Sequence, residues 1–135
     1  MSRSASHTLV ARNLDSGTVL ASRVTVATRR LERAIGLLTR DRLDAGHGLL
    51  IVPCRGVHTC GMRFTIDIVV LSAAGRVVDA VADLRPWRFR FPRQGSFSVL
   101  ELPAGTLMAS QTQIGHRISL EKPGTAATPQ VQTEK

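Results

Sequence analysis

Three side chains able to serve as transition-metal ligands or as nucleophile and base lie within seven residues. They are Cys54, His58 and Cys60, in the run Pro53-Cys54-Arg55-Gly56-Val57-His58-Thr59-Cys60-Gly61-Met62-Arg63-Phe64. As thiolate, imidazole and thiolate they could bind a metal, with His47 or His116 completing a tetrahedron. The spacing is not that of a recognised zinc module: it has no second C-x-x-C, and an i, i+4, i+6 arrangement converges only on a looped backbone. No metal is assigned, and the three are weak candidates. Alternatively, a cysteine beside a histidine can be held as thiolate and attack a carbonyl or a disulfide. Either Cys54 or Cys60 could pair with His58, while the plain structural reading makes a free cysteine a small buried apolar residue. The catalytic candidates are His58, Asp67, Cys54 and Cys60, with no reaction assigned and no cofactor predicted.

Asp67 stands in the middle of Ile66-Asp67-Ile68-Val69-Val70. A carboxylate in such a strand is costly unless paired. In an extended strand Arg63 lies on the same face, within reach for an ion pair, which is the structural reading. The functional reading has Asp67 orient His58 and fix its tautomer.

Arg85-Pro86-Trp87-Arg88-Phe89-Arg90-Phe91-Pro92-Arg93 mixes arginine with aromatic residues, the combination that grips phosphates and stacks bases. Trp87, Phe89 and Phe91 would share one face of an extended segment, with arginines off it. An edge strand packs its aromatics inward in the same way. No P-loop, dinucleotide fingerprint, helix-turn-helix or RNA-recognition signature accompanies the run, so nucleic acid is not the favoured partner.

These groups need elements to position them. Thr8 to Arg12 and Thr18 to Val26 are β-branched runs around the turn Asp15-Ser16-Gly17, an opening hairpin. Leu31, Ala34, Ile35 and Leu38 recur at helical spacing behind Thr28, which predicts a main helix over Arg29 to Arg40. Leu49 to Pro53 reads as a short apolar strand. From Met62 to Leu71 the residues alternate strictly, and Ala73-Ala74-Gly75 turns the chain into a partner strand, Arg76 to Leu84. Arg85 to Gly95 reads as a loop, Ser98 to Leu102 as a strand, Pro103 to Ser110 as a short second helix, and Gln113 to Leu120 as a closing strand. The predicted fold class is α+β: a single strand-rich domain, mainly antiparallel sheet curled towards a barrel, with one main helix and a short second one. The domain spans residues 7–121, between a flexible N-terminus, 1–6, and a disordered tail, 122–135.

Composition excludes further classes. The 135 residues suit one domain, and no apolar stretch approaches the length of a membrane span. Residues 1–20 hold no signal-peptide core, which predicts a cytoplasmic protein, and two cysteines cannot form a disulfide framework. The net charge is +8, and it is concentrated: 85–93 holds four arginines and no acid, 29–42 five arginines and two acids, while 43–84, with the candidate site, is nearly neutral. The surplus favours solubility and encounter with acidic partners.

The ordered motifs Gly48-Leu49-Leu50-Ile51-Val52-Pro53-Cys54, Val57-His58-Thr59 and Met62 to Leu71 resemble the DUF192 family of uncharacterised bacterial and archaeal proteins. So do Gly75-Arg76-Val77, Leu84-Arg85-Pro86-Trp87-Arg88, Val99-Leu100-Glu101-Leu102-Pro103-Ala104-Gly105 and Gly115, over about residues 19–120. The resemblance implies one compact strand-rich α+β domain and no established reaction, substrate or cofactor; many members look exported. Thr65 stands where the family commonly has proline, and Ser72 and His116 where it has acidic residues. The family-like positions Cys54, His58, Thr59, Met62, Asp67, Trp87 and Glu101 are where a site is sought.

Together these readings predict non-catalytic binding of a small or anionic ligand in a pocket around the 54–62 loop, roofed by Trp87. His58 is its polar anchor, Asp67 orients that histidine or pairs with Arg63, Arg63 and Arg88 supply positive charge, and Thr59, Met62 and Trp87 are the other ligand-binding candidates. The alternatives are a Cys/His-dependent enzyme, a metal-binding protein, and contact with nucleic acid or acidic protein through Arg85 to Arg93.

Overall fold

The computed structural model describes residues 8–27, 42–53, 57–58, 63–90 and 94–124, with the backbone alone at 57–58 and 89–90. The main helix predicted over 29–40 lies outside the described residues. So do both termini, apart from 122–124 of the tail.

The opening hairpin forms as its β-branched runs predict: β1 (Thr8–Asn13) pairs antiparallel with β2 (Thr18–Ala27). Strand β3 (His47–Ile51) pairs with β2 in parallel, so the sheet is mixed, although the other pairings of its described strands are antiparallel as expected. The reason is topological: the chain between Ala27 and His47 is long enough to return to the end of the sheet from which β2 started. Next come β4 (Val57–His58), β5 (Ile66–Leu71), β6 (Val77–Leu84), β7 (Phe89–Arg90), β8 (Ser98–Pro103), helix α1 (Thr106–Ser110) and β9 (Ile118–Glu121). The main sheet runs β6-β5-β8-β3-β2-β1-β9, and β4 and β7 form a separate two-stranded ribbon.

The main sheet curls until its two edge regions meet. Arg76 and Arg117 form an antiparallel bridge, Ile118 N–H donates to Gly75 O at 2.8 Å, and Val77 N–H donates to His116 O at 2.8 Å. Gly75 is required at this seam. Its φ is +89°, and a Cβ there would lie 2.7 Å from Ile118 O. The result is a half-barrel.

The concave face gathers Ala11, Val24, Leu50, Val69, Val77, Leu100 and Ile118, a contribution from every strand of the main sheet, and Leu107 of α1 packs onto it. The opposite face of the central strands carries a second cluster, including Leu49, Ile51, Ile66, Ile68, Val70 and Val99. The alternation predicted for Met62 to Leu71 therefore holds within β5, but both of its faces are buried. Complete burial of Ile66, Ile68 and Leu71 stabilises the fold by roughly 2 kcal/mol each. The strand begins only at Ile66, because Arg63 and Phe64 form a bend.

Strand β8 runs on through Pro103, where the sequence suggested that a helix begins, and Pro103 pairs with Ile66. The short helix starts at Thr106, after Gly105 in the left-handed conformation. The closing strand is likewise shorter than predicted, since 113–117 is spent on the turn that reaches β6.

Candidate functional site

The two runs that sequence singles out for chemistry meet. In the β4–β7 ribbon His58 pairs with Phe89 and Val57 with Arg90, antiparallel. What reads in sequence as a continuous loop over Arg85 to Gly95 thus contains a short strand whose partner is the segment of His58.

Trp87, two residues before this pairing, has φ +64°, a left-handed conformation uncommon for a bulky residue, and its side chain is 65% exposed. The alternation that would place Trp87 on one face with Phe89 and Phe91 does not carry across such a residue, and its indole faces solvent instead of packing inward. Arg63, Arg85 and Arg88 are exposed too. The Arg88 guanidinium lies 3.5 Å from both Pro86 O and Trp87 O, so it stays beside the turn that carries the indole.

Asp67 is completely buried, and both its carboxylate oxygens accept backbone hydrogen bonds. Oδ2 accepts from Gly105 N–H at 3.1 Å and Leu107 N–H at 2.8 Å, and Oδ1 from Asp83 N–H at 2.9 Å. Gly105 has no side chain with which to cap α1, so Asp67 caps it from β5. Asp83, with φ +57°, lies where the β5–β6 register slips between Ile66 and Ile68. The same carboxylate therefore secures a helix start and a strand irregularity. Sequence spacing offered an Arg63 pair or a His58 partner for Asp67; three backbone amides donate to its carboxylate, and the His58 side chain lies outside the described residues.

Glu101 is the second carboxyl inside the sheet. On β8 it stands between Leu49 of β3 and Ile68 of β5, on the face of the second apolar cluster, and it is 4% exposed. Desolvation pushes its carboxyl up from 4.5 to about 7. Its signal in sequence was the one that marked Asp67, an acid within an apolar run, Val99-Leu100-Glu101-Leu102.

Cys54, Thr59, Cys60 and Met62 lie outside the described residues, as does the side chain of His58. Among the described residues no three His, Cys, Asp or Glu side chains are placed to hold a metal ion. His47 is half-buried at the start of β3, and His116 sits in the turn before β9 with Nδ1 facing Asn13 at 3.0 Å. Among the described residues no helix is long and apolar enough to cross a membrane.

The fold has counterparts. A crystal structure of a protein of unknown function from Novosphingobium aromaticivorans superposes with TM-score 0.71 at 20% identity, over 83% of each chain. A Sinorhizobium meliloti protein described as a proposed transcription regulator superposes with TM-score 0.72 at 21% identity, over 83% of this chain and 91% of that one. A UPF0127 protein of Thermococcus sibiricus is 29% identical over 114 residues, 81% of this chain and 73% of the relative. A UPF0127 protein of Pyrococcus furiosus is 29% identical over 109 residues, 78% of this chain and 93% of the relative. The DUF192 family model, described as uncharacterized ACR, matches residues 11–120. That match spans most of the sequence, and the chain belongs to the DUF192 family.

Proposed function

We propose that the protein is a non-catalytic binding domain for a small anionic ligand, taken at the β4–β7 ribbon. Arg63 and Arg88 supply positive charge and Trp87 a flat apolar contact; Thr59 and Met62, outside the described residues, are further binding candidates. The reading rests on one observation, the pairing of His58 with Phe89, which sets the histidine segment against the aromatic and basic one. Guanidinium groups recognise carboxylate or phosphate with paired hydrogen bonds, and an exposed indole held by an uncommon backbone conformation is available for stacking.

Trp87 is the chain's single tryptophan, so its fluorescence reports on this place alone. Titration with inorganic phosphate at constant ionic strength is expected to give a saturable emission change, weakened about tenfold in R88A, the worth of one charge-assisted contact. A response that does not saturate, or that chloride reproduces, overturns the proposal.

The 65% exposure of Trp87 also favours a second reading, stacking of nucleic-acid bases with phosphate contacts from Arg85 to Arg93. That reading requires salt-sensitive retention on single-stranded RNA, lost when Arg88 and Arg90 are both replaced by alanine. Retention unchanged by the double substitution would remove it.

A further inference from the structure

A second place on the molecule has the makings of a site. Helix α1, the turn that follows it and strand β6 enclose an open groove of about 760 Å³, within the range of small-molecule sites. Leu107, Met108, Ile114, Ala80 and Ala82 give it apolar surface, and Ser16, Gln111, Thr112, Gln113 and His116 give it polar groups. None of its lining residues is Lys, Arg, Asp or Glu, in a chain whose net charge is +8. Met108 and Ile114 are 86% and 63% exposed, large apolar side chains held open to solvent on the groove.

The polar floor is rigidly built. Asn13 is fully buried, and its Oδ1 accepts from Asp15 N–H at 2.8 Å and Ser16 N–H at 3.0 Å. That fixes the amide orientation, so Nδ2 is the donor, to Thr112 Oγ1 at 3.1 Å and His116 Nδ1 at 3.0 Å. Gln113 N–H also points at His116 Nδ1, at 3.3 Å. With Nδ1 accepting, the neutral ring carries its proton on Nε2, and Nε2–H is the polar edge this network leaves over.

Gln111 adds an independent observation. It ends α1 with φ +59°, a left-handed position that favours glycine, yet it carries a side chain that lines the groove. The left-handed turn lets Gln111 N–H donate to Met108 O at 3.2 Å, capping α1, and leaves Gln111 on the lining of the groove.

We infer that this groove binds an uncharged small molecule with an apolar body and a carboxamide-like head. The apolar body lies against Met108 and Ile114, and the head exchanges hydrogen bonds with His116 Nε2–H and the amides of Gln111 and Gln113. A charged ligand would meet no opposite charge there and would lose hydration on entry.

The test uses three isosteric probes on the whole chain: benzamide, benzoate and benzamidine, followed by two-dimensional amide NMR. Benzamide is expected to shift the Ala80, Ala82, Leu107 and Gln111 to His116 resonances saturably, with a dissociation constant on the order of millimolar. Benzoate and benzamidine bind there at least about fivefold more weakly. Gln111→Gly relieves the backbone, so it is expected to keep or raise the melting temperature while weakening benzamide at least about fivefold. No saturable shift at these resonances, equal binding of a charged probe, or full binding by the folded Gln111→Gly variant would each overturn the inference.

Discussion

Asp67 Oδ2 lies 2.8 Å from the amide nitrogen of Leu107, forty residues further along the chain. A strand buried on both faces thereby anchors the first turn of the helix packed on the concave face. Gly105 and Leu107 belong to the helix start, and Asp83 to the neighbouring strand, so three parts of the fold share one side chain.

Replacing Asp67 should therefore be a stability change. D67A leaves three backbone donors without their acceptor and is expected to cost about 3–5 kcal/mol, at the level of a broken buried network. D67N keeps one acceptor and recovers part of this. Urea unfolding measures the loss, and hydrogen exchange should quicken first at Gly105 and Leu107. A loss under about 1 kcal/mol for D67A would contradict the assignment.

Glu101 should make stability fall with rising pH. Unfolded, its carboxyl ionises near 4.5; folded, burial holds the proton until about 7. Below 4.5 both states are protonated and the contribution is fully present. Between those values only the unfolded chain releases its proton, and stability declines, by roughly 3 kcal/mol in total; above about 7 the decline ends. Denaturation midpoints from pH 4 to 8 should show this slope in the native chain and a flatter one in E101Q. Parallel profiles would refute it.

His116 should be replaceable by an acid but not by alanine. Its Nδ1 receives Asn13 Nδ2–H and Gln113 N–H, and an aspartate oxygen at the same branch of the side chain could accept both. H116A is expected to cost about 1–2 kcal/mol, while H116D stays within about 0.5 kcal/mol of the native chain. Equal thermal destabilisation of the two variants would show that the imidazole acts through packing instead.

Much of the fold was legible in local pattern. The turn Asp15-Ser16-Gly17 between β-branched runs marked the first hairpin, and the alternation around Ala73-Ala74-Gly75 marked the second, because strand period and turn chemistry are properties of neighbouring residues. The acid Asp67 in an apolar run announced that something must answer for it. The order of motifs pointed to the DUF192 family.

Tertiary structure alone decided what those signals mean. The parallel β2–β3 pairing and the Gly75–Ile118 seam join residues distant in sequence, and no local period encodes them. For the same reason sequence could propose Arg63 or His58 as the partner of Asp67, while the fold assigned amides from Asp83, Gly105 and Leu107. Trp87 looked like an inward-packing strand residue until a left-handed φ turned it outward. The groove beside α1 had no sequence signature, since its walls come from β6, the first hairpin turn and residues 107–116. Local chemistry determines which elements form and which groups need partners; only the closing of the sheet determines which groups meet.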